Sequence, residues 1–161
     1  MFDGTKATFE KIWRYPTVQV IGTVNGEILM LNEDQPDRPG NINFPGGRAD
    51  HGKDMLLEAK RELLEETGYA SEDWSLFMEH GKDGKVIHHV AYFIARDCKK
   101  IQEPILDPGE KISLKTIDFE ELMAMAEDPR FWIPSEFRME FLRMQFDPAQ
   151  KEAFRKNLFP Y

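Results

Sequence analysis

The stretch GRADHGKDMLLEAKRELLEETGY, residues 47–69, decides how this chain is read. From Asp54 to Thr67 it consists of strong helix formers, and Gly68 stands where a helix commonly ends on a left-handed residue. A helix over 54–67 is therefore expected. At about 100° per residue, Asp54, Glu58, Glu62, Glu65 and Glu66 share roughly a third of its circumference, with Leu56, Leu57, Leu63 and Leu64 on the other side. Like charges at this spacing repel, and carboxylates near a helix C-terminus oppose its dipole. One explanation is a solvated outer face. The other is a compensating cation, and Phe44-Pro45-Gly46-Gly47, which leads toward the helix, favours it because glycine lets backbone oxygens approach an ion closely. Carboxylates and backbone carbonyls suit a hard ion such as Mg²⁺ or Mn²⁺.

Outward from the helix, Thr17–Asn32 reads as two strands turning at Asn25-Gly26. Residues 33–52, rich in Pro, Gly, Asp and Asn, read as a long loop of the kind that is usually functional or disordered. Val86–Arg96 suits a buried strand and Ile112–Ile117 alternates like another. Asp118 and Glu121 form a capping-box pattern opening a helix over about 119–127. Ser135 is the expected cap of a further helix, and Asp147-Pro148 the start of a last one reaching about Asn157. The order strand, strand, loop, helix, strand, strand, helices implies one layered α/β unit with a mixed sheet.

Length and composition agree. The chain has 161 residues, 41% hydrophobic and 31% charged, which suits one soluble globular domain. No apolar run approaches the roughly 20 residues that span a bilayer. The N-terminal segment carries acids and lacks the apolar core of a secretory signal. One cysteine, Cys98, excludes an intrachain disulfide and points to a reducing, cytoplasmic setting. With 29 acids against 21 bases the net charge is −8, which argues against a nucleic-acid polymer as partner but not against a small anion met at a metal ion.

Gly47, thirteen residues, then Arg61-Glu62-Leu63-Leu64-Glu65-Glu66-Thr67-Gly68-Tyr69 resembles the Nudix box. The box is Gly, five residues, Glu, seven residues, Arg-Glu-aliphatic-any-Glu-Glu-any-Gly-aliphatic. Two positions depart from it: Lys53 stands where the family has its first glutamate, and Tyr69 where it has an aliphatic residue. The resemblance implies a single-domain Nudix fold, a mixed sheet between helices, with a core over about 17–128 and a helical segment over about 134–158. It also implies Mg²⁺-dependent cleavage of a nucleoside diphosphate derivative. Glu62, Glu66 and the Gly46 carbonyl would hold the metal, Glu65 would be a further ligand or the base for water, and Arg61 would orient the glutamates.

Arg38-Pro39 followed by Asn43–Gly47 is similar to the ADP-ribose pyrophosphatase-like branch. On that resemblance Arg38 and Phe44 contact substrate, and Glu110, in Leu106-Asp107-Pro108-Gly109-Glu110, is the candidate mobile base. The branch's long N-terminal β-rich segment and its Ser-Pro-Gly loop are absent. Two alternatives stay open: a nucleoside triphosphate pyrophosphatase, and a nucleotide-binding module that does not hydrolyse, which Lys53 keeps in play. Trp13, Tyr15, Phe44 and Trp132 are read first as packing residues and second as platforms for a base. His88 and His89, adjacent on a strand, point to opposite faces and do not chelate together. Cys98 is not read as a catalytic thiol. A homodimer is compatible with the apolar C-terminal helices, which could equally complete one core.

Overall fold

A computed structural model describes residues 8–35, 38–106 and 111–160, excluding the side chains of residues 35, 38, 39, 82 and 83. Strand β1 (Ile12–Trp13) precedes the hairpin of β2 (Thr17–Val24) and β3 (Glu27–Gln35). Val24 faces Glu27 across the turn, and Asn25 and Gly26 both take positive φ, 51° and 82°. These angles suit the tight two-residue turn expected at Asn-Gly.

Residues 33–52 are not one loop. They contain β4 (Arg38–Asn43), antiparallel to β3, and β5 (Gly46–Arg48), antiparallel to β2. Local turn chemistry conceals both strands: β4 pairs with β3, which directly precedes it, Gln35 opposite Arg38, whereas the partner of β5, β2, lies well back along the chain. Helix α1 (Met55–Thr67) follows, and Asp54 caps it by accepting from the backbone N–H groups of Leu56 and Leu57. After the short β6 (Tyr69–Ala70) comes β7 (Asp73–Asp83), an eleven-residue strand not anticipated from sequence, which pairs antiparallel with β8 (Val86–Arg96). The chain continues through β9 (Lys99–Lys100), β10 (Ile112–Ile117), α2 (Phe119–Ala124), a 3₁₀ turn over Met125–Glu127, α3 (Ser135–Phe146) and α4 (Pro148–Leu158). Asp118 and Asp147 cap α2 and α4 as expected. Ser135 does not cap α3: it is the first helical residue, after Pro134, and its hydroxyl contacts the Glu136 carboxylate.

The sheet is mixed. β8 runs parallel to β1 and β2, while β2–β3, β3–β10 and β7–β8 are antiparallel. β8 is buried on both faces and alternates between two cores. Ala91, Phe93 and Ala95 join Val18, Val20, Leu29, Ala59 and Leu63 beneath α1. Val90, Tyr92 and Ile94 join Met30, Phe44, Phe137, Phe141 and Phe154 beneath α2–α4. The C-terminal helices thus complete the chain's own core. Phe137 lies at its centre, stacked on Tyr92 with ring centroids 3.7 Å apart and packed edge-on to Phe44, Phe77 and Phe141. Arg96 fastens α4 to the sheet through Asp73, Ser75 and the carbonyl and side-chain oxygens of Asn157.

Candidate active site

A cavity of about 650 Å³ opens between the C-terminal half of α1, β5 and the odd-numbered side chains of β2–β4. One end is acidic, lined by Glu62, Glu65 and Glu66 with Gly46, Gly47, Arg48 and Arg61. The other is walled by Glu33, Asn41, Asn43 and Trp132.

The five-carboxylate face divides. Asp54 is consumed as the cap and Glu58 pairs with Arg61, which leaves Glu62, Glu65 and Glu66 on the cavity. Gly46 lies opposite Gln19 in the β2–β5 ladder, and its N–H donates to Glu66 Oε2 at 2.7 Å. Gly47 touches Glu62 so closely that a methyl group there would overlap the carboxylate. The glycine pair therefore sets β5 directly against the helix. Gly47→Ala is expected to push Glu62 aside and lower activity about tenfold or more, as displaced catalytic groups do. Its melting temperature should hardly move, because the obstructed atoms end a flexible side chain. Steady-state kinetics alongside thermal denaturation checks both.

Arg61 organises the acids. Its guanidinium bonds Glu62 at 2.6 Å, Glu65 at 2.6 Å and Glu58 at 3.0 Å. Burial pushes the Glu62 carboxyl above the usual carboxylate range, a shift that Arg61 partly opposes and that Glu65 and Glu58 reinforce. The carbonyls at the end of α1 are satisfied by the chain after β9: Ile101 and Gln102 donate to Gly68 O, and Ile105 donates to Glu65 O at 2.7 Å. Gly68 takes φ 76°, and a side chain there would strike the Gln102 carbonyl.

Among the described residues no three His, Cys, Asp or Glu side chains already surround a common metal position. Arg61 occupies the space among the glutamates instead. The surroundings nevertheless suit a hard divalent ion. The donors are oxygens, Glu62 is desolvated, and the buried Gln19 Oε1 has no hydrogen-bond partner among the described residues.

Of the other predicted site residues, Phe44 lines the cavity while packed in the core against Phe131 and Phe137. Arg38 lies in β4, but its side chain is outside the described part, and Glu110 lies outside the described residues altogether. Lys53 is exposed and is not among the cavity's lining residues. Trp132 is half exposed on the cavity wall, whereas Trp13 and Tyr15 lie on the surface, Tyr15 between His51 and Arg48. His88 reaches Thr17 Oγ1 at 3.1 Å and His89 is exposed, on opposite faces as expected. Cys98 is buried, and desolvation pushes its thiol up to about 12, which suits an inert packing residue. Sequence reasoning missed Gln19, Glu33, Asn41 and Asn43. For Gln19, Asn41 and Asn43 the signal is alternation in VQV and NIN; Glu33, next to the polar Asn32, carries none.

A model of the NUDIX domain matches residues 13–136, so the chain belongs to the Nudix family of hydrolases. It is 37% identical over 83 residues to nucleoside diphosphate-linked moiety X motif 6 of Xenopus laevis, covering 48% of this chain and 36% of that one. It is 28% identical over 130 residues to the methanol dehydrogenase activator of Bacillus methanolicus, covering 76% and 69%. The fold is that of a solved ADP compounds hydrolase, with a TM-score of 0.68 at 18% identity over 86% of this chain and 76% of the other. A MutT Nudix hydrolase from Burkholderia pseudomallei superposes with a TM-score of 0.54 at 18% identity, over 66% and 84%. Among the described residues no helix is long and apolar enough to cross a membrane.

Proposed function

We propose that the protein is a Mg²⁺-dependent pyrophosphohydrolase that cleaves a nucleoside diphosphate derivative of the ADP-ribose or nucleotide-sugar type. The observation that carries this reading is the cavity itself, which joins Glu62, Glu65 and Glu66 of α1 to a wall of Glu33, two asparagines and the Trp132 indole. Such a volume suits a small molecule. Its two ends differ as a phosphate end and a base end would. The name of the ADP compounds hydrolase that shares the fold supports the same substrate class.

Glu62, Glu65, Glu66 and the Gly46 carbonyl would hold the metal, with Mn²⁺ as a substitute. A bound divalent ion would neutralise charge on the pyrophosphate and acidify a water molecule. Arg61 holds Glu62 and Glu65 in fixed orientation through charge-assisted bonds and must yield part of that contact when a cation enters. Glu65, with 42% of its side chain exposed, is the acid on this turn best placed to accept a proton from water; Glu110 is the second candidate. Arg38 is assigned to substrate contact on the resemblance of Arg38-Pro39 to the ADP-ribose pyrophosphatase-like branch, and Phe44 through the cavity wall.

Incubation of the full chain with Mg²⁺ and ADP-ribose or a nucleotide sugar is expected to release a nucleoside monophosphate. EDTA should reduce the rate to background, and excess Mg²⁺ or Mn²⁺ should restore it. Pyrophosphate released from triphosphates alone would move the assignment to the triphosphate pyrophosphatases. Nucleotide binding without any product would make the protein a non-hydrolysing module.

A further inference from the structure

The cavity carries a cation that no acid among the described residues neutralises. Its described wall holds two cationic side chains, Arg48 and Arg61, against Glu33, Glu62, Glu65 and Glu66. Arg61 is engaged by Glu58, Glu62 and Glu65. Arg48 forms no ion pair among the described residues, although it follows Gly47, which lies against the Glu62 carboxylate. An aromatic ring holds it instead. Arg48 Cζ stands 4.5 Å from the centre of the Tyr15 ring, within the range of a cation–π contact. His51 stacks on the same ring, with centroids 4.9 Å apart and planes 27° from parallel. Two groups this close to one ring centre take opposite faces, so Tyr15 is clasped between them. The backbone prepares this arrangement. Arg48 lies opposite Thr17 in the β2–β5 ladder, Ala49 N–H donates to Pro16 O at 2.8 Å, and Arg14 N–H donates to Ile87 O at 2.9 Å. The bonds on either side of Tyr15 fix its backbone beside β5, and His51 covers the face turned away from Arg48.

We propose that Arg48 binds the diphosphate group of the substrate, and that Tyr15 is the positioning residue that holds Arg48 ready for it. A cation–π contact uses the charge of a guanidinium without occupying its five N–H donors, whereas the ion pairs of Arg61 occupy them. The planar fork matches two oxygens of a phosphate. The cavity's carboxylates would draw a loose Arg48 inward, as they have drawn Arg61. Held by Tyr15, its charge stays available to an arriving anion. Its place next to the contact between Gly47 and Glu62 sets that anion at the acidic end of the cavity. The inference rests on the proposed function for the identity of the anion as a diphosphate, but binding itself needs no turnover.

The test is calorimetric binding of methylenediphosphonate, a pyrophosphate mimic with neither a hydrolysable bridge nor a base, to the full chain in the presence of Mg²⁺. The parent chain is expected to bind it with an affinity that falls as salt is added. Arg48→Gln should weaken binding about tenfold, the worth of one charge-assisted contact, and flatten the salt dependence. Tyr15→Leu should weaken it about threefold, as loss of an exposed cation–π contact does. Tyr15→Phe keeps the ring and should bind like the parent. In an Arg48→Gln background Tyr15→Leu should have no further effect, because nothing is left to position. No binding by the parent chain, or parental binding by Arg48→Gln, overturns the proposal. So does a Tyr15→Leu variant that binds like the parent, or one whose loss is matched by Tyr15→Phe or persists without Arg48. Binding that depends on Arg48, in a chain that releases no product from any nucleotide, leaves this inference standing and removes the proposed activity instead.

Discussion

Glu66→Gln is expected to lower turnover by at least about a hundredfold, the order of loss seen when one charge-stabilising group is removed from an active site, while the protein stays folded. The two outcomes separate because of how Glu66 is used. Its Oε2 accepts the Gly46 N–H, and a glutamine carbonyl can accept the same hydrogen. The tie between helix and β5 therefore survives the substitution. What is lost is one of three negative charges lining the acidic end of the cavity, in a helix whose last turn carries no basic residue. Measured kcat, a Mg²⁺ titration and a melting curve on one preparation check this. A variant with parental kcat would remove Glu66 from the metal site. One that fails to fold would mean that the charge itself holds the glycine turn.

Phe137→Ala is expected to have the largest effect on stability, about 3–5 kcal/mol, the range for truncating a buried aromatic ring. The ring is fully buried and packs on Tyr92, Phe44, Phe77 and Phe141 at once, so no single neighbour can collapse into the space. For a domain of this size each kcal/mol is worth about 2–4 °C in melting temperature. Urea denaturation at equilibrium is the direct measurement, and a loss below about 1 kcal/mol would show that α3 is not integral to the core. The loss should reach the site as well, because Phe44 packs on Phe137 and also lines the cavity. We expect the destabilised variant to show a raised KM before it loses kcat, since the carboxylate turn of α1 rests on the other core.

The parts of this protein legible in its sequence are those decided by neighbours along the chain. The Asn25-Gly26 hairpin, the ends of α1, and the Asp118 and Asp147 caps all depend on hydrogen bonds or φ angles within a few residues. The Gly47–Tyr69 pattern is legible for the same reason, since a helix converts fixed spacing into a shared face. Ser135 marks the limit of such reasoning. A serine after proline looks like a cap, yet the helix begins on it.

What the sequence did not reveal depended mainly on pairing across the chain. β5 is a strand because β2, far back along the chain, pairs with it, and no turn propensity in residues 33–52 could reveal that; β4 pairs with the adjacent β3, but the Pro- and Gly-rich composition of the segment reads as loop. Asp54 and Glu62 share a helical face in projection, but the end of the helix claims one and the cavity the other. The acidic surplus of the chain was evident from its composition, as was the concentration of carboxylates on one helix. Only the tertiary structure brought Gly46 and Gly47 against Glu66 and Glu62, placed Arg61 among the acids, and set Glu33 and Asn43 at the far end of the same cavity. Sequence spacing determines what a helix turn presents, because its geometry repeats locally; what that turn faces is settled by the burial of two apolar cores on either side of one sheet.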